Sequence, residues 1–182
     1  ADGQWVDRRF CIDYRPVNDK TKSDRYALHL PEELYRRMGN ATVFSKLDLR
    51  AAFHQIPIHP DDQAKTAFYW RNELWMYNRM PYGLVNGSAK CQRMMDREIA
   101  SAGLSGCCVC FVDDLVVFSN SAAEHLQHLQ QVLDMLRSCG LRVHPDKSVF
   151  FAEQVEFLGH NISAAGLSPH EAKVAAIRAL SS

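Results

Sequence analysis

The pattern of hydrophobic and polar positions along the chain predicts both strands and helices. Short apolar and β-branched runs predict the strands, at residues 10–14, 42–49, 66–70, 74–79, 107–118 and 150–162. The third and fourth runs flank Arg71-Asn72-Glu73 and predict a hairpin, and Gln154 divides the last run into two strands. The run at 107–118 is apolar on both sides of two aspartates, which predicts a buried hairpin with that pair at its turn.

Helical spacing and helix-terminal residues predict four helices, at residues 31–38, 88–101, 122–139 and from 168 onward. Ser88 is predicted to cap the second helix, and Ser121 and Glu124 form a capping box at the start of the third. The apolar face of the third helix is predicted from four leucines, Leu126, Leu129, Leu133 and Leu136. Strands and helices alternate without a βαβ repeat, so the predicted fold class is α+β.

Length and composition are those of one globular domain. The chain has 182 residues, of which 47% are hydrophobic and 23% charged, and these fractions exclude a disordered tail, a collagen-like repeat and a coiled coil. The 21 basic residues balance 21 acidic ones, so no global field marks a nucleic-acid-binding protein, although a local groove can still be basic. No run of about 18 apolar residues predicts a membrane span. Residues 1–5 lack the layout of a secretory signal.

Six cysteines lie mostly inside apolar runs, at Cys11, Cys91, Cys107, Cys108, Cys110 and Cys139. Cys107 and Cys110 form one CxxC pattern, but in a strand their side chains would point to opposite faces. No second CxxC completes a zinc site. The sequence therefore predicts buried thiols in a reducing compartment.

Three carboxylates are candidates for chemistry. Asp113 and Asp114 are adjacent inside an apolar run, where desolvation and mutual repulsion are costly unless a cation neutralises them. A metal site and an ordinary surface turn remain equal alternatives for this pair. Asp48 ends another apolar strand, where a helix cap or a salt bridge to Arg50 is the simpler interpretation. Together the three would meet the needs of two Mg²⁺ ions about 3.5–4 Å apart in phosphoryl transfer.

Five ordered blocks of sequence resemble one family. They are RRFCIDYRPVN, FSKLDLRAAFHQI with Asp48, MPYGLVNGSAKCQ, FVDD, and EFLGH. In this order and spacing they resemble the reverse transcriptase of Gypsy-type long-terminal-repeat retrotransposons. The resemblance implies a right-hand polymerase in which an antiparallel palm sheet is backed by helices. It implies fingers at 1–22 and 56–86, palm at 23–55 and 87–165, and the start of the following segment at 166–182.

The resemblance also implies the catalytic residues. Asp48 and Asp113 would hold two Mg²⁺ ions, with Mn²⁺ as a substitute, and Asp114 would complete the carboxylate set. Lys147 would protonate the leaving pyrophosphate, and the alternative for it is a surface lysine.

Two further sets of residues match positions that the family uses for binding. For the incoming nucleotide these are Arg9, Phe53, Tyr82 and Gly83. Phe53 would pack against the sugar and crowd a 2′-hydroxyl, and a core aromatic is the alternative. For the template and primer they are Gln92, Leu158, Gly159 and His160. His125 and His128, at helical i and i+3 spacing, would also suit a metal, but their Gln-rich face predicts solvated surface.

The function implied by the resemblance is RNA-directed DNA polymerase activity, a nucleotidyltransferase reaction, within a retrotransposon polyprotein. Its partners would be an RNA or DNA template with primer, deoxynucleotide triphosphates, and the thumb, ribonuclease H and integrase portions of the parent polyprotein. No membrane is implied, and the expected location is a cytoplasmic particle. One alternative is an inactive relic or a domesticated nucleic-acid-binding fragment with the same fold. Another is a two-metal nuclease.

Overall fold

Six helices and nine strands make up residues 10–169, the part of the chain that the computed structural model describes. The helices are α1 (Arg15–Asn18), α2 (Pro31–Met38), α3 (Ala52–Gln55), α4 (Pro60–Gln63), α5 (Gly87–Ser101) and α6 (Ala122–Ser138). The strands are β1 (Val43–Asp48), β2 (Phe68–Trp70), β3 (Glu73–Trp75), β4 (Cys108–Phe111), β5 (Asp114–Ser119), β6 (Val149–Ala152), β7 (Gln154–Phe157), β8 (His160–Ser163) and β9 (Gly166–Pro169). Two 3₁₀ turns lie at Ala64–Thr66 and Pro145–Lys147.

A four-stranded antiparallel sheet, in the order β4-β5-β1-β6, forms the centre of the fold. Alternate residues of its strands point to opposite faces, and both faces carry apolar side chains because both are covered. On β1, Leu47 belongs to the core on the first face and Phe44 to the core on the second face.

Helices α5 and α6 cover the first face of the sheet. The predicted start of α6 is confirmed, since the Ser121 hydroxyl accepts a hydrogen bond from the Glu124 amide at 3.3 Å. The predicted apolar face is only partly right, because Leu126 is 62% exposed. The stripe that packs on the sheet instead runs through His125, Leu129, Val132, Met135 and Leu136.

The prediction that His125 lies on a solvated surface is therefore wrong. Its side chain is fully buried, with Nε2 2.7 Å from the Ser45 hydroxyl and Nδ1 2.8 Å from the Ser119 hydroxyl. His128 lies at the edge of the same group, with Nδ1 2.9 Å from Ser119. Serines on two strands of the sheet supply the partners that allow an imidazole to be buried, and the sequence of the helix contains no sign of them.

The second face is covered by α2 and by a three-stranded sheet, β7-β8-β9. The bounds of α2 match the prediction, because Pro31 begins the helix and Gly39, at φ +48°, ends it. Leu34 of α2 and Phe157 of β7 are fully buried against the central sheet. At the carboxyl end of β1 the sheet is less covered, since Asp48 and Asp114 are half-buried and Asp113 is exposed.

The structure corrects four predicted elements. Residues 10–14 form no strand, because Phe10 packs on the rings of Phe68 and Trp70 instead of pairing along a neighbouring backbone. The run at 150–162 contains parts of three strands, since the chain leaves the central sheet after β6 and enters the second sheet at β7. Ser168 and Pro169 pair with β8 as a strand, so no helix begins there. The predicted continuation of that helix beyond Pro169 lies outside the described residues.

The fourth correction concerns the start of α5. The helix begins at Gly87, and Ser88 does not cap it. Asn86 stands at the cap position, but its side chain accepts from the Asp24 amide and donates to the Lys22 carbonyl, both at 2.9 Å. Asn86 therefore does not cap α5, and its side chain holds the loop at Lys22 and Asp24 against the start of the helix instead.

The hairpin predicted around residue 72 is confirmed, with shorter arms than expected. Strands β2 and β3 are joined by Arg71 and Asn72, whose φ angles of +50° and +63° suit a tight two-residue hairpin turn. Of the six cysteines, four are buried as predicted, while Cys11 is exposed and Cys139 is half-buried.

Candidate active site

Strand pairing brings the predicted catalytic aspartates to one end of the central sheet. In the antiparallel register of β1 and β5, Asp48 lies directly opposite Asp114. Directly opposed residues point to the same face, so these two carboxylates share the accessible part of the second face. The predicted hairpin of β4 and β5 is confirmed, but its turn consists of Val112 and Asp113, and Asp114 is the first residue of β5 instead of part of the turn.

The electrostatics of this group reflect crowded negative charge. Partial desolvation raises the pKa of Asp113 above its usual value, and the nearby charges of Asp114 and Asp48 raise it further. Lys46 partly offsets this, since its Nζ lies 3.2 Å from Asp114 Oδ1 and donates to the Glu156 carbonyl at 3.2 Å. Within residues 10–169, no basic side chain forms an ion pair with Asp48 or Asp113. These two carboxylates are therefore the ones left for an added cation.

The donor set fits Mg²⁺ in the way that polymerase-type sites hold it. Among the described residues, no group of three or more His, Cys, Asp and Glu side chains is arranged so that it could hold a metal ion. Mg²⁺ keeps several waters and is usually bound through one or two carboxylates together with substrate phosphates, so a closed protein cage is not required. Two hard oxygen donors at an accessible edge, in a position where their charges repel, satisfy that requirement.

The segment before β6 supports Asp48 through its backbone. The Asp48 amide donates to the Ser148 hydroxyl at 3.1 Å, and the Asp48 carbonyl accepts from the His144 amide at 2.8 Å. Lys147 precedes Ser148 in the 3₁₀ turn, and its side chain is exposed. Its position is thus next to the aspartate strand, and its predicted role in protonating pyrophosphate stays a prediction.

The residue before Asp113 is held in a strained conformation. Val112 has φ +58°, which is costly for a β-branched side chain. Its amide donates to Gln92 Oε1 at 2.7 Å, and its carbonyl accepts from the thiols of Cys91 at 3.2 Å and Cys110 at 3.6 Å. Side chains from α5 and β4 thus stabilise the turn that aims Asp113.

Gln92, unlike Tyr82, lies inside the protein and not at its surface. It is fully buried, and besides accepting from Val112 it donates through Nε2 to the Cys110 carbonyl at 3.0 Å. Its predicted contact with the template stays a prediction, and the contacts it makes are with the turn that carries Asp113. The sequence does contain a signal for burial, because Gln92 shares helical spacing with the buried Met95 and Ile99.

Phe53 and Tyr82 are packed against each other beside the carboxylates. Phe53 lies in α3, shortly after Asp48, and its ring meets that of Tyr82 edge to face at a centroid distance of 5.2 Å. Tyr82 is about half exposed. The pair forms an aromatic wall next to the end of β1, which suits the predicted role in nucleotide binding without testing it.

Gly83 is favoured by its conformation, while a Cβ there would make only an ordinary contact with its neighbours. Its φ is +94°, and an added Cβ would lie 3.6 Å from the Tyr14 ring. Asn18 brackets the same segment, donating to the Gly83 carbonyl at 2.7 Å and accepting from the Val85 amide at 2.9 Å. These contacts join the segment after Arg9 to the predicted nucleotide-binding residues Tyr82 and Gly83, although Arg9 itself lies outside the described residues.

The hairpin between β7 and β8 carries the three predicted primer contacts. Leu158 and Gly159 form its turn with φ +50° and +76°, a conformation that costs Leu158 about 1–2 kcal/mol. His160 Nδ1 lies 3.0 Å from the Tyr35 hydroxyl, which fixes the hairpin to α2. The carbonyl of Glu156 in β7 accepts a hydrogen bond from Lys46, which also pairs with Asp114. The hairpin is therefore connected to the three aspartates through Lys46.

An open groove of about 1050 Å³ runs between the loop after α1, the segment around α4 and the start of α5. Its basic lining residues are Lys20, Lys22, Lys65, Lys90 and Arg93. Lys65 pairs with Asp62 and Arg93 with Asp24 of the same lining, so the local positive charge comes mainly from the three remaining lysines. In the described region, no helix is both long and apolar enough for a membrane span.

Comparison with known proteins gives one consistent result. The model of the family described as reverse transcriptase (RNA-dependent DNA polymerase) matches residues 6–162. The retrovirus-related Pol polyprotein from transposon 297 of Drosophila melanogaster is 37% identical over 93% of this chain and 16% of its own length. The polyprotein from transposon gypsy of the same fly is 34% identical over 94% of this chain and 16% of its own length. The transposon Tf2-3 polyprotein of Schizosaccharomyces pombe is 35% identical over 88% of this chain and 12% of its own length.

Solved structures agree with the sequence matches. The foamy viral protease-reverse transcriptase in complex with double-stranded DNA superposes with a TM-score of 0.84 and 25% identity, over 93% of this chain and 30% of that one. The same viral enzyme in complex with an RNA/DNA hybrid superposes with a TM-score of 0.81 and 26% identity, over 91% of this chain and 22% of that one. The predicted α+β class and its antiparallel palm sheet are thereby confirmed, and the chain spans only a small part of the relatives that it matches.

Proposed function

Because the chain belongs to the reverse transcriptase family, we propose that it is the fingers and palm part of an RNA-directed DNA polymerase encoded by a retrotransposon. The observation that carries this proposal is the placement of Asp48 opposite Asp114, with Asp113 in the adjoining turn. The reverse transcriptase family generally uses divalent metal ions, and the unpaired carboxylates fit that chemistry. The reaction would add a deoxynucleotide to a primer 3′-hydroxyl and release pyrophosphate.

In this proposal Asp48 and Asp113 would hold two Mg²⁺ ions, for which Mn²⁺ could substitute. Bound there, the metal would lower the pKa of the primer hydroxyl and stabilise negative charge on the leaving group. Asp114, paired with Lys46, would complete the negative set and keep the end of β5 in place. Lys147 would give a proton to the departing pyrophosphate.

The same proposal assigns the binding residues. Phe53 and Tyr82 would form the wall against which the nucleotide sugar packs, and Gly83 would allow close approach of the backbone. Arg9 would bind the triphosphate, because a guanidinium suits phosphate oxygens. The template-primer residues would be Gln92, Leu158, Gly159 and His160. The basic groove described above would take a nucleic-acid backbone.

We also infer that the chain is one segment of a longer polyprotein. It covers 12–16% of the length of the transposon polyproteins it matches. The proposed partners are an RNA or DNA template with primer, deoxynucleotide triphosphates, and the thumb, ribonuclease H and integrase portions of the parent polypeptide. The proposed location is a cytoplasmic retrotransposon particle.

Primer extension tests the proposal directly. We expect the chain, extended by the polypeptide that follows it in its own reading frame, to lengthen a DNA primer on an RNA template when Mg²⁺ and deoxynucleotides are present. Removal of the metal with a chelator should abolish extension, because the Asp48 and Asp113 charges would then repel the triphosphate. Addition of Mg²⁺ or Mn²⁺ should restore it.

The alternatives predict different outcomes in the same assay. Tight binding of the RNA/DNA hybrid without metal-dependent extension would contradict the proposal and favour a domesticated or inactive module. Cleavage of nucleic acid in the absence of nucleotide triphosphates would favour a two-metal nuclease.

Replacing Phe53 tests the assigned role of the aromatic wall. We expect Phe53→Val to lower the preference for deoxynucleotides over ribonucleotides about tenfold or more, because the ring that crowds the 2′-hydroxyl is gone. The measurement is kcat/KM for each nucleotide type on one primer-template. Phe53→Tyr keeps the ring and should retain the preference. Unchanged selectivity in Phe53→Val would show that the residue is only part of the core.

A further inference from the structure

A carboxylate behind the catalytic turn makes three hydrogen bonds that the proposed reaction does not use. Asp96 lies one helical turn after Gln92 on α5, and its Oδ1 accepts from Gln92 Nε2 at 2.9 Å. His29 Nε2 lies 3.0 Å from the same oxygen, and the Tyr26 hydroxyl donates to Oδ2 at 2.7 Å. The Asp96 side chain is only 22% exposed, so these bonds replace much of its hydration.

The arrangement solves an orientation problem in the Gln92 side chain. An amide can rotate so that its oxygen and nitrogen exchange places, and only one orientation matches its partners here. Oε1 must face the Val112 amide, and Nε2 must face the Cys110 carbonyl. An ionised carboxylate has no hydrogen to donate, so Asp96 accepts Nε2 and disfavours the reversed amide.

We propose that Asp96 is a positioning residue for the catalytic turn, acting through Gln92 on Val112 and hence on Asp113. This inference rests on the proposed polymerase function only for its consequence in catalysis. The strained Val112 needs its amide held, and the amide is held only when Gln92 has the orientation that Asp96 selects.

Tyr26 and His29 hold Asp96 from the opposite side. The hydrogen bond to Asp96 raises the pKa of Tyr26. The Tyr26 ring also lies under the Arg93 guanidinium, at 4.8 Å, and Arg93 pairs with Asp24 at 2.7 Å. The loop before α2 is thus fixed to the face of α5 that carries the positioning residue.

The chain offers a matched control for a test. On α6, Gln130 Nε2 donates to Asp134 Oδ2 at 3.0 Å, which is the same Gln-to-Asp pair at i and i+4 spacing, but it is exposed. The variants are therefore Asp96→Leu, which removes the acceptor, Asp96→Asn, which keeps one acceptor oxygen, and Asp134→Leu as the control. Tyr26→Phe removes only one support of Asp96.

The first measurement is hydrogen exchange of the Val112 amide under native conditions, which requires no activity. We expect exchange about tenfold faster in Asp96→Leu, the factor that corresponds to loss of one net hydrogen bond. Asp96→Asn and Asp134→Leu should stay within about twofold of the parent chain. Should Asp96→Leu fail to fold, Tyr26→Phe takes its place, with a smaller increase confined to Val112 and its neighbours.

The second measurement separates kcat from KM in primer extension by the extended chain. Asp96→Leu should lower kcat about tenfold and leave the KM for deoxynucleotide unchanged, because the substituted residue touches no substrate. Asp96→Asn should restore most of the rate. Equal Val112 exchange in Asp96→Leu and the parent overturns the inference, as does an equal kcat. A parent chain without extension refutes the proposed function instead, and Val112 exchange still decides the inference.

Discussion

Asp113→Asn is expected to reduce the rate of primer extension about 10²- to 10³-fold or more, the scale of losing one electrostatic contact to the transition state. The substitution keeps the shape of the side chain and removes the charge proposed to hold both metal ions. The measurement is single-turnover extension of a DNA primer on an RNA template at saturating Mg²⁺, so that binding and product release do not mask the chemical step.

Stability distinguishes this loss from unfolding. Partial desolvation and the charges of Asp114 and Asp48 raise the pKa of Asp113, so its ionised form costs folding free energy at neutral pH. Asp113→Asn should therefore unfold at the same temperature as the parent or at a higher one. Asp146→Asn, at an exposed carboxylate in the neighbouring 3₁₀ turn, should change the rate less than about twofold. Activity retained in Asp113→Asn would refute the assignment of the catalytic carboxylates.

Local signals predicted those parts of the fold whose partners are close in sequence. Proline and glycine bound α2 at both ends, and the capping box of Ser121 and Glu124 marks the start of α6. The hairpin that carries Asp113 also depends only on adjacent residues. The pairing of Asp48 with Asp114 joins strands 66 residues apart, and only the resemblance to a family indicated it before the structure did.

The errors arose where a distant partner decides the local structure. Residues 10–14 have strand-like composition, yet their aromatic ring packs on β2 instead of forming a ladder. His125 is the clearest case, since two serines on β1 and β5 turn a polar helical position into core.

Burial of His125 leads to the second large effect, on stability. His125→Phe keeps a ring of similar shape against Phe151 but removes the imidazole that contacts both the Ser45 and Ser119 hydroxyls, which leaves Ser45 with the Phe151 amide and Ser119 with His128. We expect the free energy of unfolding to fall by about 2–3 kcal/mol, as for buried polar groups that lose a partner. The measurement is urea unfolding at pH 7.5. His128→Phe, at a position that is 24% exposed, should cost less than about 1 kcal/mol.

The same residue should make the fold sensitive to acid. Burial lowers the pKa of His125 below its usual 6.5, and the neighbouring His128 lowers it further, while Glu124 acts in the opposite direction. Below pH 6.5 the unfolded chain then binds a proton that the folded chain refuses. This contribution to stability is complete above pH 6.5 and is lost, at up to about 1.4 kcal/mol per pH unit, as the pH falls toward the folded pKa.

His125→Phe should lack this part of the slope between pH 6.5 and 5, whereas His128→Phe should retain it. Equal slopes in the parent and in His125→Phe would mean that His125 takes up its proton as readily in the folded chain as in the unfolded one, and that its bonds to the two serines do not depend on a neutral ring.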